Sequence, residues 1–308
     1  MNTQSNAMPE SRDSQINDSQ GVTPVVMSAT RPLYWSVRRE LWENRSIYIA
    51  PLAAAAVMLF GFLIASIGRA LSETDLAQRR AVLDEPSSFA MGLIMATTFV
   101  VGIFYSLDAL HGERRDRSIL FWKSLPVSDL TTVLSKASIP LVILPLLTIA
   151  IVIPVELIML VLRTLVLRGS GMSIATQAEM SSLFQMWTML LYHMVTVHVL
   201  WHAPLYGWML LVSGWARRAA FLWAALPPLA ICAIEKIAFN TTHFFDLLGY
   251  RFSGGPEALT MPGRFPIDPM THLTPGRFLS TPGLWIGLLF AAAFLAAAVR
   301  LRRYQGPI

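Results

Sequence analysis

At 308 residues, with 54% hydrophobic and only 14% charged side chains, the chain falls well short of the ~25% charge typical of a soluble domain. A mean hydropathy of +0.52 places it in a bilayer instead. The net charge of +5 rests on 21 arginines and three lysines lying mostly beside apolar runs, which suits anionic lipid rather than nucleic acid.

Residues 1–30 are rich in Ser, Gln, Asn and Asp. They hold too little apolar surface to offset chain entropy, so disorder is expected there. No apolar stretch follows a basic start, so this is not read as a signal peptide. Residues 31–45, RPLYWSVRRELWENR, form a helix that can bring Leu33, Trp35, Val37, Leu41 and Trp42 to one broad side, with Arg38, Arg39 and Glu43 facing away. This is either an interfacial helix or an extension of the first span.

Six stretches reach the length of about 20 apolar residues that a crossing requires: Ser46–Ile67, Phe89–Asp108, Ile139–Leu162, Phe184–Val212, Phe221–Ile237 and Pro282–Leu301. The fold class expected is an all-α polytopic membrane protein of six transmembrane helices. Pro204 predicts a break in the fourth span, and Pro227-Pro228 a distortion in the fifth. With the N-terminus inside, the inner connections hold fourteen Lys and Arg and the outer ones nine, which favours both termini in the cytoplasm.

Between the second and third spans lies the one long basic, amphipathic connection, Asp108 to Lys136. It reads as two short helices cut by Pro126. In the first, Ile119, Leu120 and Trp122 can be buried in the membrane interface or a partner groove while Arg114, Arg115, Arg117 and Lys123 stay wet. Ser128 suits the cap of the second helix, with Asp129 in its first turn. The segment is either a rigid knob for a cytoplasmic partner or a connector lying on the membrane.

Glu156 follows Pro154 inside the third span. An ionisable group there is costly; it lines a pathway, or sits at the outer interface and pairs with Arg163. His193, His198 and His202 share the fourth span. The last two fall on one helix face, a spacing that invites a metal, although no carboxylate completes the set and the Glu of HExxH is missing. Bonding of these imidazoles to neighbouring helices is the competing reading. Cys232 has no partner in the chain, and Glu235 with Lys236 closes the fifth span as a pair or at the interface. The outer connection, Ala238 to Thr281, repeats Pro-Gly-Arg-Phe at 262–265 and 275–278 and has Pro-Gly again at 282–283; type II turns are expected. The chain contains no GxxxxGK[ST] loop and so has no phosphate cradle of that kind.

Glu113, Arg117-Ser118, Ile119-Leu120, Leu125-Pro126-Val127-Ser128 and Lys136, together with RRELWENRSIYIAP before and into the first span, resemble the ABC-2 type permease family, the membrane subunits of ABC exporters. The likeness extends over residues 31–303. It departs at Arg117-Ser118, where the family usually has a small-residue pair. The resemblance implies a coupling segment formed by Glu113, Arg114, Arg115, Arg117, Ile119, Leu120, Phe121, Trp122, Lys123 and Pro126. This segment would dock into a separate ATPase, with Phe121 or Trp122 as apolar anchor. Two ATPase copies would bind the ATP and Mg, and a second permease copy would complete a homodimer in the bacterial inner membrane. Export of a hydrophobic or amphipathic compound follows, with Glu156, His198 and His202 as candidate pathway residues. On that basis, reversing Arg114, Arg115 and Arg117 to Glu is expected to lose the ATPase without unfolding the chain. An ion-coupled transporter using Glu156, and a membrane-embedded metal enzyme using His193, His198 and His202, are the rival readings.

Overall fold

A computed structural model of the chain describes residues 30–70, 76–124, 127–169, 176–255 and 275–308. The N-terminal tail, Leu125, Pro126 and the first Pro-Gly-Arg-Phe repeat lie outside these. Among the described residues all regular structure is helical, and six helices are long and apolar enough to cross a membrane. The chain is an all-α polytopic membrane protein.

Helix α1 (Thr30–Glu43) is separated from α2 (Ser46–Ala70) by a short break, so it is a distinct element and no extension of the first span. Val37 and Leu41 pack against the core and Arg38 and Glu43 face away, as expected. Trp35 and Trp42 are exposed, with the Arg38 guanidinium over both rings at 5.2 and 5.3 Å, whereas Glu40 is buried on the inward side. Helix α3 (Leu76–Asp108) is the second crossing. Short α4 (His111–Arg115) and α5 (Ser118–Ser124) follow.

Helix α6 (Asp129–Ser138) was expected to stand apart from the third span, but it runs into α7 (Leu144–Gly169) through one wide turn at Ile139–Ile143. Pro140 has no N–H to give a regular helical bond, and the wider i→i+5 pattern, with Leu144 N–H on the Ile139 carbonyl, carries the chain past it. The Ser128 cap forms as expected, its hydroxyl accepting from Thr131 N–H at 3.1 Å.

The fourth crossing combines α8 (Thr176–His193), a second wide turn (Met194–Trp201) and α9 (Ala203–Trp215). The break expected at Pro204 occurs at His202, whose N–H bonds the Val197 carbonyl at 3.0 Å. Helix α10 (Ala220–Phe239) stays one helix despite Pro227-Pro228. Pro228 leaves the Ala224 carbonyl without its helical donor, and Trp208 Nε1–H supplies one at 3.1 Å. Glu235 does not pair with Lys236; it caps α11 (His243–Phe252), accepting from Thr241 Oγ1 and the His243 and Phe244 amides, each at 2.8 Å. Orphan amides at a helix start outcompete an exposed lysine.

Pro275-Gly276-Arg277-Phe278 opens helix α12 (Pro275–Leu279), and Pro282 opens α13 (Pro282–Tyr304). Type II turns were expected at both; proline instead takes the first helical position, where its missing N–H costs nothing. Arg251 fastens the outer elements, donating to the carbonyls of Trp201 (3.1 Å) and Gly283 (2.8 Å) while its guanidinium lies 4.2 Å over the Trp201 ring.

Gly255 sits beside that ring at φ +66°, where an added Cβ would approach Trp201 to 2.2 Å. Gly255→Ala therefore combines a left-handed alanine with overpacking and is expected to destabilise the chain by about 2 kcal/mol or more. An unchanged thermal unfolding midpoint in detergent would contradict this.

The main core lies among α2, α3, α7 and the fourth crossing, with Phe62, Ile94, Val152, Met159 and Leu190 buried. A second core of Ile47, Tyr105, Ile139, Leu144 and Leu210 closes the end of the bundle that carries α1 and α4–α6. The C-terminal end of α13 joins this end too: Lys123 Nζ donates to the Gln305 carbonyl at 2.9 Å, and Ile308 N–H to that of Arg114 at 3.2 Å. Residues 30 and 308 thus belong to the same side of the molecule.

Candidate docking site

The connection between α3 and α6 is built on a buried ionic cluster. Glu40 Oε1 accepts from Arg39 Nη2 at 2.6 Å and from Lys136 Nζ at 2.9 Å, while Glu40 Oε2 accepts from the Tyr105 hydroxyl at 2.8 Å. Glu113 Oε1 stands 3.1 Å from both Arg39 Nη2 and Lys136 Nζ, and its Oε2 takes a hydrogen bond from Arg302 Nη1. Arg302 Nε also faces Asp129 Oδ1 at 3.2 Å. Three cations thus face three carboxylates in the interior, and Arg39 Nε also reaches the exposed Glu43 Oε2 at 3.6 Å. Glu40 is 1% exposed and Lys136 2%, so each charge depends on its partners to offset the loss of water.

Burial pushes the Glu40 carboxyl up, but Lys136, Arg39 and the Tyr105 hydroxyl outweigh it and hold the group below the ordinary carboxylate value. It is ionised at neutral pH.

These groups come from α1 (Arg39, Glu40), α3 (Tyr105), α4 (Glu113), α6 (Asp129, Lys136) and α13 (Arg302). The short α4–α5 unit is thereby clamped to the ends of several membrane helices at once. Arg114 adds a second clamp, donating to the carbonyls of Gly214 (2.6 Å), Ala216 (3.2 Å) and Gly306 (3.3 Å). The Ser213 hydroxyl accepts the Leu110 and His111 amides, both at 2.9 Å.

What remains outside is small. Leu120 and Phe121 are 59% and 60% exposed. Trp122 lies edge-on to Phe121 with the Arg39 guanidinium 3.8 Å over its ring. Beside it, α1, Trp122 and Thr132 enclose a cleft of about 150 Å³. Arg115, Arg117 and Lys123 are exposed.

The expectations for this segment therefore divide. Arg115, Arg117 and Lys123 stay wet as expected, and Leu120 and Phe121 are left uncovered by the rest of the subunit. Arg114, expected to stay wet, is buried because the carbonyls at the end of α9 need a donor. Glu113 and Ile119, the latter 1% exposed, face inward and cannot touch a partner directly. Pro126 lies outside the described residues. Sequence reasoning missed Arg39, Glu40, Tyr105 and Arg302. The available signals were a carboxylate directly after two arginines in α1 and an arginine at the end of an apolar span.

Of the intramembrane candidates, His198 and His202 lie together, ring centres 6.3 Å apart, both against Phe99. His198 Nε2 pairs with the Tyr206 hydroxyl at 3.1 Å, and His202 packs on Phe99 with ring centres 4.7 Å apart. Among the described residues no group of three or more His, Cys, Asp or Glu side chains is disposed to hold a metal. Glu156 is buried on α7, and its Oε1 has no hydrogen-bond partner.

Comparison with protein-family models, with characterised proteins and with solved structures gives no match to this chain.

Proposed function

We propose that this chain is the membrane subunit of an ATP-driven exporter of the ABC-2 type, taking mechanical work from a separate ATPase through α5. The observation that carries the reading is an exposed Leu120–Phe121 pair on α5, which follows α4 and meets α1 where Arg39 lies over Trp122, while a buried ionic cluster ties α4 to α1, α3, α6 and α13. Central apolar anchors with a charged surround are what a specific protein contact uses, and Arg115, Arg117 and Lys123 supply that surround. A push on α5 passes through ion pairs that are costly to break, so the α4–α5 unit moves with its helix ends rather than bending against them.

A second point of support is the turn between α4 and α5. Arg117 adopts φ 58°, a left-handed conformation that small residues take most easily, at the place where the permease family has its small pair.

In this reading the basic end of the bundle is cytoplasmic, a second copy completes the translocation unit, and ATP and Mg are bound by the partner. The deciding experiment reconstitutes the chain with a P-loop ATPase encoded beside it and measures ATP-dependent movement of hydrophobic compounds. ATP turnover unaffected by the chain, with no transport, would overturn the reading.

The buried, unbonded Oε1 of Glu156 favours one rival, ion-coupled transport. Glu156→Gln separates the two. ATP-driven export is expected to persist in this variant, whereas gradient-driven transport that vanishes with it would favour the rival.

A further inference from the structure

Helices α3, α9, α10 and α11 enclose a groove of about 330 Å³ away from the docking site. Every side chain lining it is apolar, Ile103, Leu107, Met209, Phe221, Pro228 and Phe252 among them. The one polar side-chain atom on its wall, Trp208 Nε1, is spent on the Ala224 carbonyl. The groove extends along α10 from Phe221 to Leu229, about 12 Å at the helical rise. It offers nothing to a polar ligand and suits a hydrocarbon chain.

At the Phe221 end the chain turns from α9 into α10 through Ala216–Ala219, with Ala219 left-handed at φ 50°. Arg217 and Arg218 are both exposed on this turn. Among the described residues neither has a carboxylate partner, and Arg217 stands near another cation, Arg114. Trp215 and Trp223 flank the turn, half exposed, with ring centres 4.9 Å apart. Paired tryptophans with an apolar body and a polar tip belong at the headgroup level of a bilayer.

Two uncompensated arginines three and four residues from the mouth of a purely apolar groove are complementary to one molecule class. We propose that the groove and the Ala216–Ala219 turn form a single binding site for an anionic phospholipid, one acyl chain in the groove and the phosphate on Arg217 and Arg218. The proline pair has a part in this. Pro228 frees the carbonyl that Trp208 holds, and that bond fixes the spacing of α9 and α10 along the groove wall. The site is independent of whether an ATPase binds at α5.

The test uses the full chain purified in mild detergent, titrated with phosphatidylglycerol or with phosphatidylcholine of identical acyl chains, and read by native mass spectrometry and thermal unfolding. The wild type is expected to retain phosphatidylglycerol preferentially and to be stabilised by it. Arg217→Gln with Arg218→Gln, at two exposed positions, is expected to weaken phosphatidylglycerol roughly 10- to 30-fold, to the level of phosphatidylcholine. Ala225→Trp, which fills the groove and keeps both charges, is expected to weaken both lipids. Glycerol phosphate, lacking acyl chains, is expected not to compete. Equal binding of the two lipids by the wild type, or a preference that survives the double arginine variant, would overturn the proposal. So would a groove covered by a second copy of the chain in crosslinking from Ala225.

Discussion

Replacing Leu120 and Phe121 together by serine is expected to weaken ATPase binding by roughly 30- to 1000-fold, the range set by losing apolar anchors at the centre of an interface. The same variant should leave the unfolding midpoint of the isolated chain nearly unchanged. Both side chains are about 60% exposed, so they bury little within the subunit and their truncation opens no cavity. This separation of binding from stability is what makes the variant informative. The triple reversal of Arg114, Arg115 and Arg117 lacks it, because Arg114 holds three carbonyls of α9 and the C-terminal tail. A glutamate there would face those carbonyls and loosen the subunit itself. Arg115→Glu with Arg117→Glu is the cleaner charge test, since both residues are on the surface. Titration of the purified ATPase onto the chain in nanodiscs measures both variants. Wild-type affinity in the Leu120/Phe121 variant would remove α5 from the contact.

Lys136→Met is expected to destabilise the chain by about 3–5 kcal/mol, the cost of stranding buried charge. Its Nζ lies 2.9 Å from Glu40 Oε1 and 3.1 Å from Glu113 Oε1, so removing it leaves three carboxylates facing two cations. A fall in unfolding midpoint of roughly 10 °C follows from ordinary unfolding entropies. Charge balance also predicts a rescue. Adding Glu40→Met to Lys136→Met restores two cations, Arg39 and Arg302, against two carboxylates, Glu113 and Asp129. Replacing a buried pair by apolar side chains of similar volume is often neutral or better. The double variant should therefore regain most of the lost midpoint. If it is less stable than Lys136→Met alone, the pair does not act as a compensated unit. Under the proposed function the two variants also part in activity: the single one uncouples ATP turnover from transport, and the double one recovers coupling only if Glu113 and Arg302 suffice to brace α4.

Much of the fold was legible because bilayer physics is coarse. A run such as Ile139–Leu162 has only one stable disposition in hydrocarbon, and the Ser128 cap with Asp129 in the first turn is a local matter of orphan amides. Proline effects were half legible. That Pro204 would break its helix follows from its missing N–H, but that Pro228 would not depends on Trp208 arriving from another helix. The burial of Glu40 was not legible for a related reason. By polarity alone a carboxylate belongs outside. Two cations from α1 and α6, Arg39 and Lys136, and a hydroxyl from α3, Tyr105, make the inside the better place for that carboxylate.

Composition, span length and the distribution of arginine were enough for the sequence alone to determine a six-helix membrane protein with a basic, amphipathic segment between the second and third crossings. Those properties are sums over short stretches of chain, and a linear reading captures them. Which residues of that segment face outward was decided only by tertiary structure. Glu40, Glu113, Lys136 and Arg302 are separated by 73, 23 and 166 positions along the chain, and the cost of burying any one of them is met only by the others. That mutual dependence draws Glu113 inward, the carbonyls of Gly214 and Ala216 draw in Arg114, and Leu120 and Phe121 are left as the exposed surface.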